Sequence, residues 1–388
     1  MAHRADRWIF ESFALTPRSL GVARIIVATY LVLYRAPELG WIGSLPDTFF
    51  RPPAGPLRVA NGIPSSGVFT VLSVGLSVAT VALLIGYHTR IASCCAGLLL
   101  FALDGFTYSF GHIHHSGTYL AAVLVIMAAS NWGAAYSVDS VRRRDGPEPT
   151  TEAWPLALAA LLLGFLMLTS ALPKLASGWL DPSTTAVRAH IAHYHVIAPH
   201  DGLLGTLPLH STSNLIWKPF DYLTLLFEVG FVIAIASPRA TRLFCATAVV
   251  FHFAIFLGFG IDFTASVVAY AVFFEWSAVI DRLRTPGTEP PASRAARELL
   301  WRRRAALGPA VLLAGVALYL LTDHFGAPIK RLAPRIVANP DQAATLLVFG
   351  VALAITLAYA TFLTTCGAKR IRRSRLKPSP KQRVAAEP

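Results

Sequence analysis

The 388-residue chain is 54% hydrophobic and only 14% charged, against the roughly 25% charged residues of soluble globular domains, which excludes most soluble classes. Lys and Arg outnumber Asp and Glu 34 to 21, for a net charge of +13. A nucleic-acid binder would set its basic residues along polar faces, whereas here they punctuate apolar runs of about 20 residues, so the expected partner is the lipid bilayer and not nucleic acid.

A bilayer core about 30 Å thick needs about 20 apolar helical residues. That ruler predicts ten spans, near 17–36, 68–87, 91–109, 117–135, 154–174, 220–237, 241–260, 263–281, 307–322 and 343–365. The expected fold class is all-α, a multipass integral membrane helical bundle. The first run is too long for a secretory signal and lacks a small-residue cleavage site after it, so it is expected to remain as an anchor. A Pro- and Arg-rich break predicts a basic cytoplasmic linker at 284–306, between an eight-helix membrane domain at 1–283 and a two-helix hairpin with a basic tail at 307–388.

Cytoplasmic segments collect Lys and Arg. With the N-terminus inside, 24 of the 34 basic residues fall on inner segments, eight on outer segments, and Arg24 and Arg35 within the first span. This bias predicts that both termini are cytoplasmic. The four cysteines (Cys94, Cys95, Cys245 and Cys366) form no CxxC pair and no disulfide framework.

Nine of the twelve histidines fall outside on this topology, which points to a site on the outer face. His112, His114 and His115 form one cluster, and His190, His193 and His195 another. On a helix His190 and His193 would share a face. Neither spacing is diagnostic of a metal site and no carboxylate pattern completes one, so no metal is expected.

Ionisable groups within the bilayer are costly and mark pairing or function. Asp104 falls in the third span, Glu228 in the sixth and His252 in the seventh, the last two at similar depth, so Glu228 and His252 are expected to meet. That contact reads either as a helix-tying hydrogen bond or as a proton relay. Lys174 ends the fifth span next to Pro173, which is expected to break the helix there. Its ammonium reads either as a group reaching the head groups or as a desolvated base.

Three stretches resemble the HTTM (horizontally transferred transmembrane domain) family, whose fold is shared with vitamin K-dependent gamma-carboxylase. The first runs from His115-Ser116-Gly117-Thr118-Tyr119-Leu120 through Asn131-Trp132 to Ser137-Val138-Asp139. The second is Ala171-Leu172-Pro173-Lys174-Leu175 with Trp179 five residues beyond the lysine. The third is Phe227-Glu228-Val229-Gly230, then Pro238-Arg239, then Phe251-His252-Phe253. Together they cover roughly residues 15–285.

The resemblance implies a quinol-type cofactor similar to vitamin K hydroquinone, with Lys174 as the base that deprotonates it. His115 and His252 would bind or polarise the ring, with Glu228, His114 and Asp104 in supporting positions. The implied reaction is quinol- and oxygen-driven carboxylation, or a related oxidation, of a peptide or small molecule. The implied location is a cell membrane of bacterial inner-membrane type, with the site facing outward. The chain departs from the eukaryotic carboxylase in having Pro173 where a second lysine precedes the base, and in lacking the large luminal domain. The alternative is a non-catalytic membrane subunit for maturation or export of a secreted peptide, docking it on the outer His-rich loop and the 38–66 segment.

Overall fold

A computed structural model describes residues 2–35, 39–52, 56–110, 115–143, 150–196, 202–283, 304–325, 328 and 340–375. Among the described residues the protein is all-helical, with no strand. The helices are α1 Ala2–Arg7, α2 Pro17–Leu33, α3 Ser66–Ile85, α4 Thr89–Thr107, α5 His115–Met127, α6 Val138–Arg142, α7 Trp154–Ala176 and α8 Ala186–Val196. They continue as α9 Leu207–His210, α10 Asn214–Ala234, α11 Pro238–Phe259, α12 Thr264–Ala269, α13 Trp276–Leu283, α14 Arg304–Phe325 and α15 Pro340–Arg375.

Each of the ten predicted spans falls on helix, but length and composition divide them. Five described helices are long and apolar enough to cross a membrane: Ser66–Ile85, Thr89–Phe110, Trp154–Ala176, Pro238–Phe259 and Asp341–Thr361. A sixth results if His3–Ser12 and Pro17–Leu33, bent by 66° at their junction, form one broken span. α10 has the length, with 21 residues, but carries Lys218, Asp221 and Glu228, three charges that a lipid-facing helix does not tolerate. α5 stops after 13 residues, and the eighth predicted span divides into α12, a 3-10 turn at Tyr270–Phe273 and α13. The proposed linker lies mostly at 284–303, outside the described residues.

Local signals explain the helix ends. Thr16 caps α2 by accepting the Ser19 N–H at 3.2 Å, ahead of Pro17 in the first helical position. α3 closes on Gly86, whose φ of 71° needs a residue free of a Cβ penalty. A Cβ there would also lie 2.2 Å from the Ser137 side chain.

Arg24, a charge inside the first predicted span, is fully buried. Its guanidinium donates to the carbonyls of Leu83, Leu84 (2.7 Å) and Tyr136 (2.6 Å). It thereby satisfies the open carbonyls at the end of α3 and lies favourably against that helix dipole. The Ser137-Val138-Asp139 turn does the reciprocal work on α4, since the Asp139 carboxylate accepts the N–H groups of His88 (3.0 Å) and Thr89 (2.7 Å). At the other end of α2, Arg35 pairs with Asp104 of α4 at 2.7 Å. Gly117 lets α5 approach that pair, because a Cβ there would lie 2.4 Å from the Asp104 carboxylate. The C-terminal helix α15 packs against α11 and α12, and Thr345 on it shares a 2.6 Å hydrogen bond with Tyr34.

Candidate functional site

Ser170 and Lys174 lie one helical turn apart on the last two turns of α7, so both point the same way. Pro173 does not break α7, which continues to Ala176 and ends before Gly178 at φ 81°. A proline costs the helix the one hydrogen bond back to the carbonyl four residues earlier, and in α7 that single loss does not stop the helix.

Lys174 meets Glu228 of α10. Its Nζ lies 2.7 and 3.0 Å from the two carboxylate oxygens and donates as well to Ser170 Oγ at 2.8 Å and to the Ser170 carbonyl at 3.1 Å. Ser170 Oγ in turn donates to Glu228 Oε1 at 2.9 Å. Glu228 is only 5% exposed, so the triad neutralises a carboxylate that could not remain buried alone. The Trp179 ring covers the ammonium at 5.5 Å, a cation–π distance.

This triad forms the floor of a cleft of about 810 Å³, a size that accepts a small organic ligand. Its walls are aromatic, with Trp179, Phe220, Phe251, Phe259 and Phe263 contributing. Its roof is α8, which presents Val187, His190, Ile191 and Tyr194 at the i, i+3, i+4, i+7 spacing of one helix face.

A second charged pair fixes that roof. Asp221 on α10 is fully buried and accepts the N–H groups of Ala186 (3.0 Å) and Val187 (2.8 Å) at the start of α8. Lys218, one turn earlier, bonds Asp221 at 3.1 Å and the Trp179 carbonyl at 2.7 Å. Arg188 donates to the carbonyls of Pro208 and Ser211 and so ties α8 to the segment that carries His210 into the cleft. The Leu204 N–H, on another part of the cleft lining, bonds the Leu257 carbonyl of α11 at 2.7 Å.

The cleft thus brings together Lys174, Glu228 and His190 among the residues singled out from the sequence. Glu228 does not pair with His252, because Lys174 and Ser170 engage its carboxylate instead. His252 is buried behind the cleft wall, stacked on Phe263 at 4.6 Å with 14° between the rings. Its Nδ1 has no hydrogen-bond partner among the described residues. His115 is the exposed first residue of α5 and is not part of the cleft lining. Asp104 serves the Arg35 pair, and His114 lies outside the described residues. No group of three metal-ligating side chains occurs among the described residues.

Sequence reading missed Ser170, Asp221 and Lys218. The i, i+4 spacing of Ser170 to Lys174 and the i, i+3 spacing of Lys218 to Asp221 were available as signals, but neither names the partner on another helix. His190 is held below its usual titration range, by burial first and then by His193 and Lys174, with Asp221 opposing. Its imidazole is therefore neutral near pH 7.

The fold and cleft define a class: an all-helical protein with several membrane-length apolar helices and a lysine–glutamate pair at the floor of an aromatic cleft. No family model, curated protein or solved structure matches the chain.

Proposed function

We propose that the chain is an HTTM-like, gamma-carboxylase-like integral membrane protein, with about ten spans and cytoplasmic termini, whose cleft is an outward-facing quinol-type active site. The observation that carries this reading is the Lys174–Glu228 pair at 2.7 Å beneath aromatic walls. A hydroxylated aromatic ring fits those residues, because the walls accept its faces and the floor exchanges a proton with its hydroxyl. A quinol bound there would supply electrons to oxygen and so drive carboxylation or a related oxidation of a peptide or small molecule.

The hydrogen-bond pattern supports a division of the proton chemistry between the two charged groups. Each N–H of the Lys174 ammonium is directed at Glu228 or Ser170. A carboxylate offers about four lone-pair directions, and Lys174 and Ser170 occupy three of them on Glu228. On this reading Glu228, and not the Lys174 that the resemblance implies, would take the proton from a bound hydroxyl, and one Lys174 N–H would turn from Ser170 to the oxyanion left behind. Water exclusion by Trp179 and the phenylalanines strengthens that charge interaction.

The test uses the purified full chain in lipid nanodiscs with 2-methyl-1,4-naphthohydroquinone as probe. The wild type is expected to bind it, with quenching of tryptophan fluorescence, and to convert it to epoxide in oxygen. Lys174→Met and Glu228→Gln are expected to slow conversion by about 100-fold or more, the usual scale of a lost acid–base group. Conversion at the wild-type rate in both variants would remove the pair from the chemistry. The second reading, a non-catalytic subunit for peptide maturation or export, is favoured by the complete internal pairing of Lys174, and binding without turnover in the wild type would decide for it.

A further inference from the structure

The cleft has a second polar pole that its floor does not use. His190 projects from the roof helix onto Trp179, with ring centroids 5.8 Å apart and 32° between the planes. Lys174 lies 5.5 Å from the same indole. The indole therefore adjoins the acid–base pair and an imidazole at once. Among the described residues of the roof face, Val187 and Ile191 are buried apolar packing and Tyr194 packs on Phe259. His190 lines the cleft, with its imidazole partly desolvated there, and forms no hydrogen bond with a described residue.

We propose that His190 is the second ligand contact of the cleft, accepting a hydrogen bond from the far hydroxyl of a para-dihydroxylated aromatic ring whose near hydroxyl meets Glu228. This rests on the reading of the cleft as a quinol-type site and specifies what that site recognises: two hydroxyls on opposite edges of one ring. A neutral imidazole has one lone pair to accept with, and an imidazolium has none. The groups around His190 are Lys174 and Glu228 from the floor, His193 on its own helix, Asp221 from α10 and His210 from the adjoining segment. Burial and the cationic neighbours outweigh Asp221, so the accepting form prevails at neutral pH. The lone pair of the imidazole is open only to a donor, so a ring whose far hydroxyl is capped as an ether loses this contact.

The experiment measures dissociation constants of the full chain in nanodiscs under anaerobic conditions. The probes are 2-methyl-1,4-naphthohydroquinone and its 4-O-methyl ether. His190→Leu is expected to weaken hydroquinone binding about 5- to 10-fold, the scale of one neutral hydrogen bond, and to leave the ether unchanged. Wild-type binding of the hydroquinone is expected to weaken as the pH falls and the imidazole gains a proton. His190→Gln, which keeps an acceptor without the titration, is expected to restore affinity and abolish that pH dependence. Equal losses for the hydroquinone and its ether would reduce His190 to packing and overturn the proposal. Tight binding of the hydroquinone by wild type and His190→Leu alike would overturn it and leave the quinol-type reading standing. No binding by the wild type would overturn both.

Discussion

Lys174 and Glu228, 54 residues apart in the chain, meet at 2.7 Å where α7 and α10 pack together. Each would be costly alone in an apolar interior, and their pairing with Ser170 is what allows both to sit beneath a cleft. Removing one partner of a buried pair strands the other charge and costs about 3 kcal/mol. Lys174→Met is accordingly expected to lower stability by about that amount. Lys174→Met combined with Glu228→Gln removes both charges and should recover about half of it. Chemical unfolding of the four proteins of the double-mutant cycle in detergent measures this, and strictly additive losses would show that the two side chains do not act as a pair.

The roof of the cleft depends on Asp221. Asp221→Ala leaves two amides at the start of α8 without an acceptor and Lys218 buried without its counter-ion. Hydrogen exchange is expected to accelerate over residues 186–196 first, because local opening needs less energy than global unfolding. Hydroquinone affinity should fall with it. Unchanged protection in α8 would show that apolar packing of Val187 and Ile191 alone holds the roof.

Asp139 has an architectural role. Its carboxylate accepts two N–H groups at the start of α4 and the Thr89 hydroxyl at 2.7 Å. Asp139→Ala is expected to cost about 1–2 kcal/mol, the scale of a lost helix cap, seen as a lower melting temperature with ligand affinity intact. Lost affinity in a variant that melts normally would connect this turn to the cleft instead.

The His190 shift has a stability consequence whose sign follows from linkage. Its titration is lower in the fold than in the unfolded chain, so below the ordinary histidine value of about 6.5 the unfolded state binds more protons. Folding stability from this residue is then complete at neutral pH and declines as the pH falls through about 6.5 and below. His190→Gln should flatten that part of the stability profile measured between pH 8 and pH 5. An unchanged slope would assign the acid sensitivity to other groups.

The helices were legible in the sequence because apolar runs of the right length leave the backbone no solvent to bond with except itself. Each of the ten predicted segments carries helix. Their ends were legible where a local signal exists, as at Pro17 and Gly86, and misread at Pro173, where the loss of one hydrogen bond does not stop the helix. The number of membrane-length helices was not legible: a window of hydropathy does not show that α5 ends at Met127 or that Thr264–Leu283 divides in two.

The site divides in the same way. Composition and position singled out Lys174, Glu228, His252 and Asp104 as charges or imidazoles in unfavourable surroundings, and that judgement rests on single-residue energetics. Which of them meet is a property of the packed bundle. Glu228 turns to Lys174 and not to His252, Asp104 to Arg35 across 69 residues, and Arg24 to carbonyls as far away as Tyr136. The sequence alone determined that these charges needed partners, because burial makes an unpaired charge costly wherever it lies. Only the tertiary structure decided the partners, because a 2.7 Å contact depends on how helices distant in sequence pack, and no local pattern encodes that.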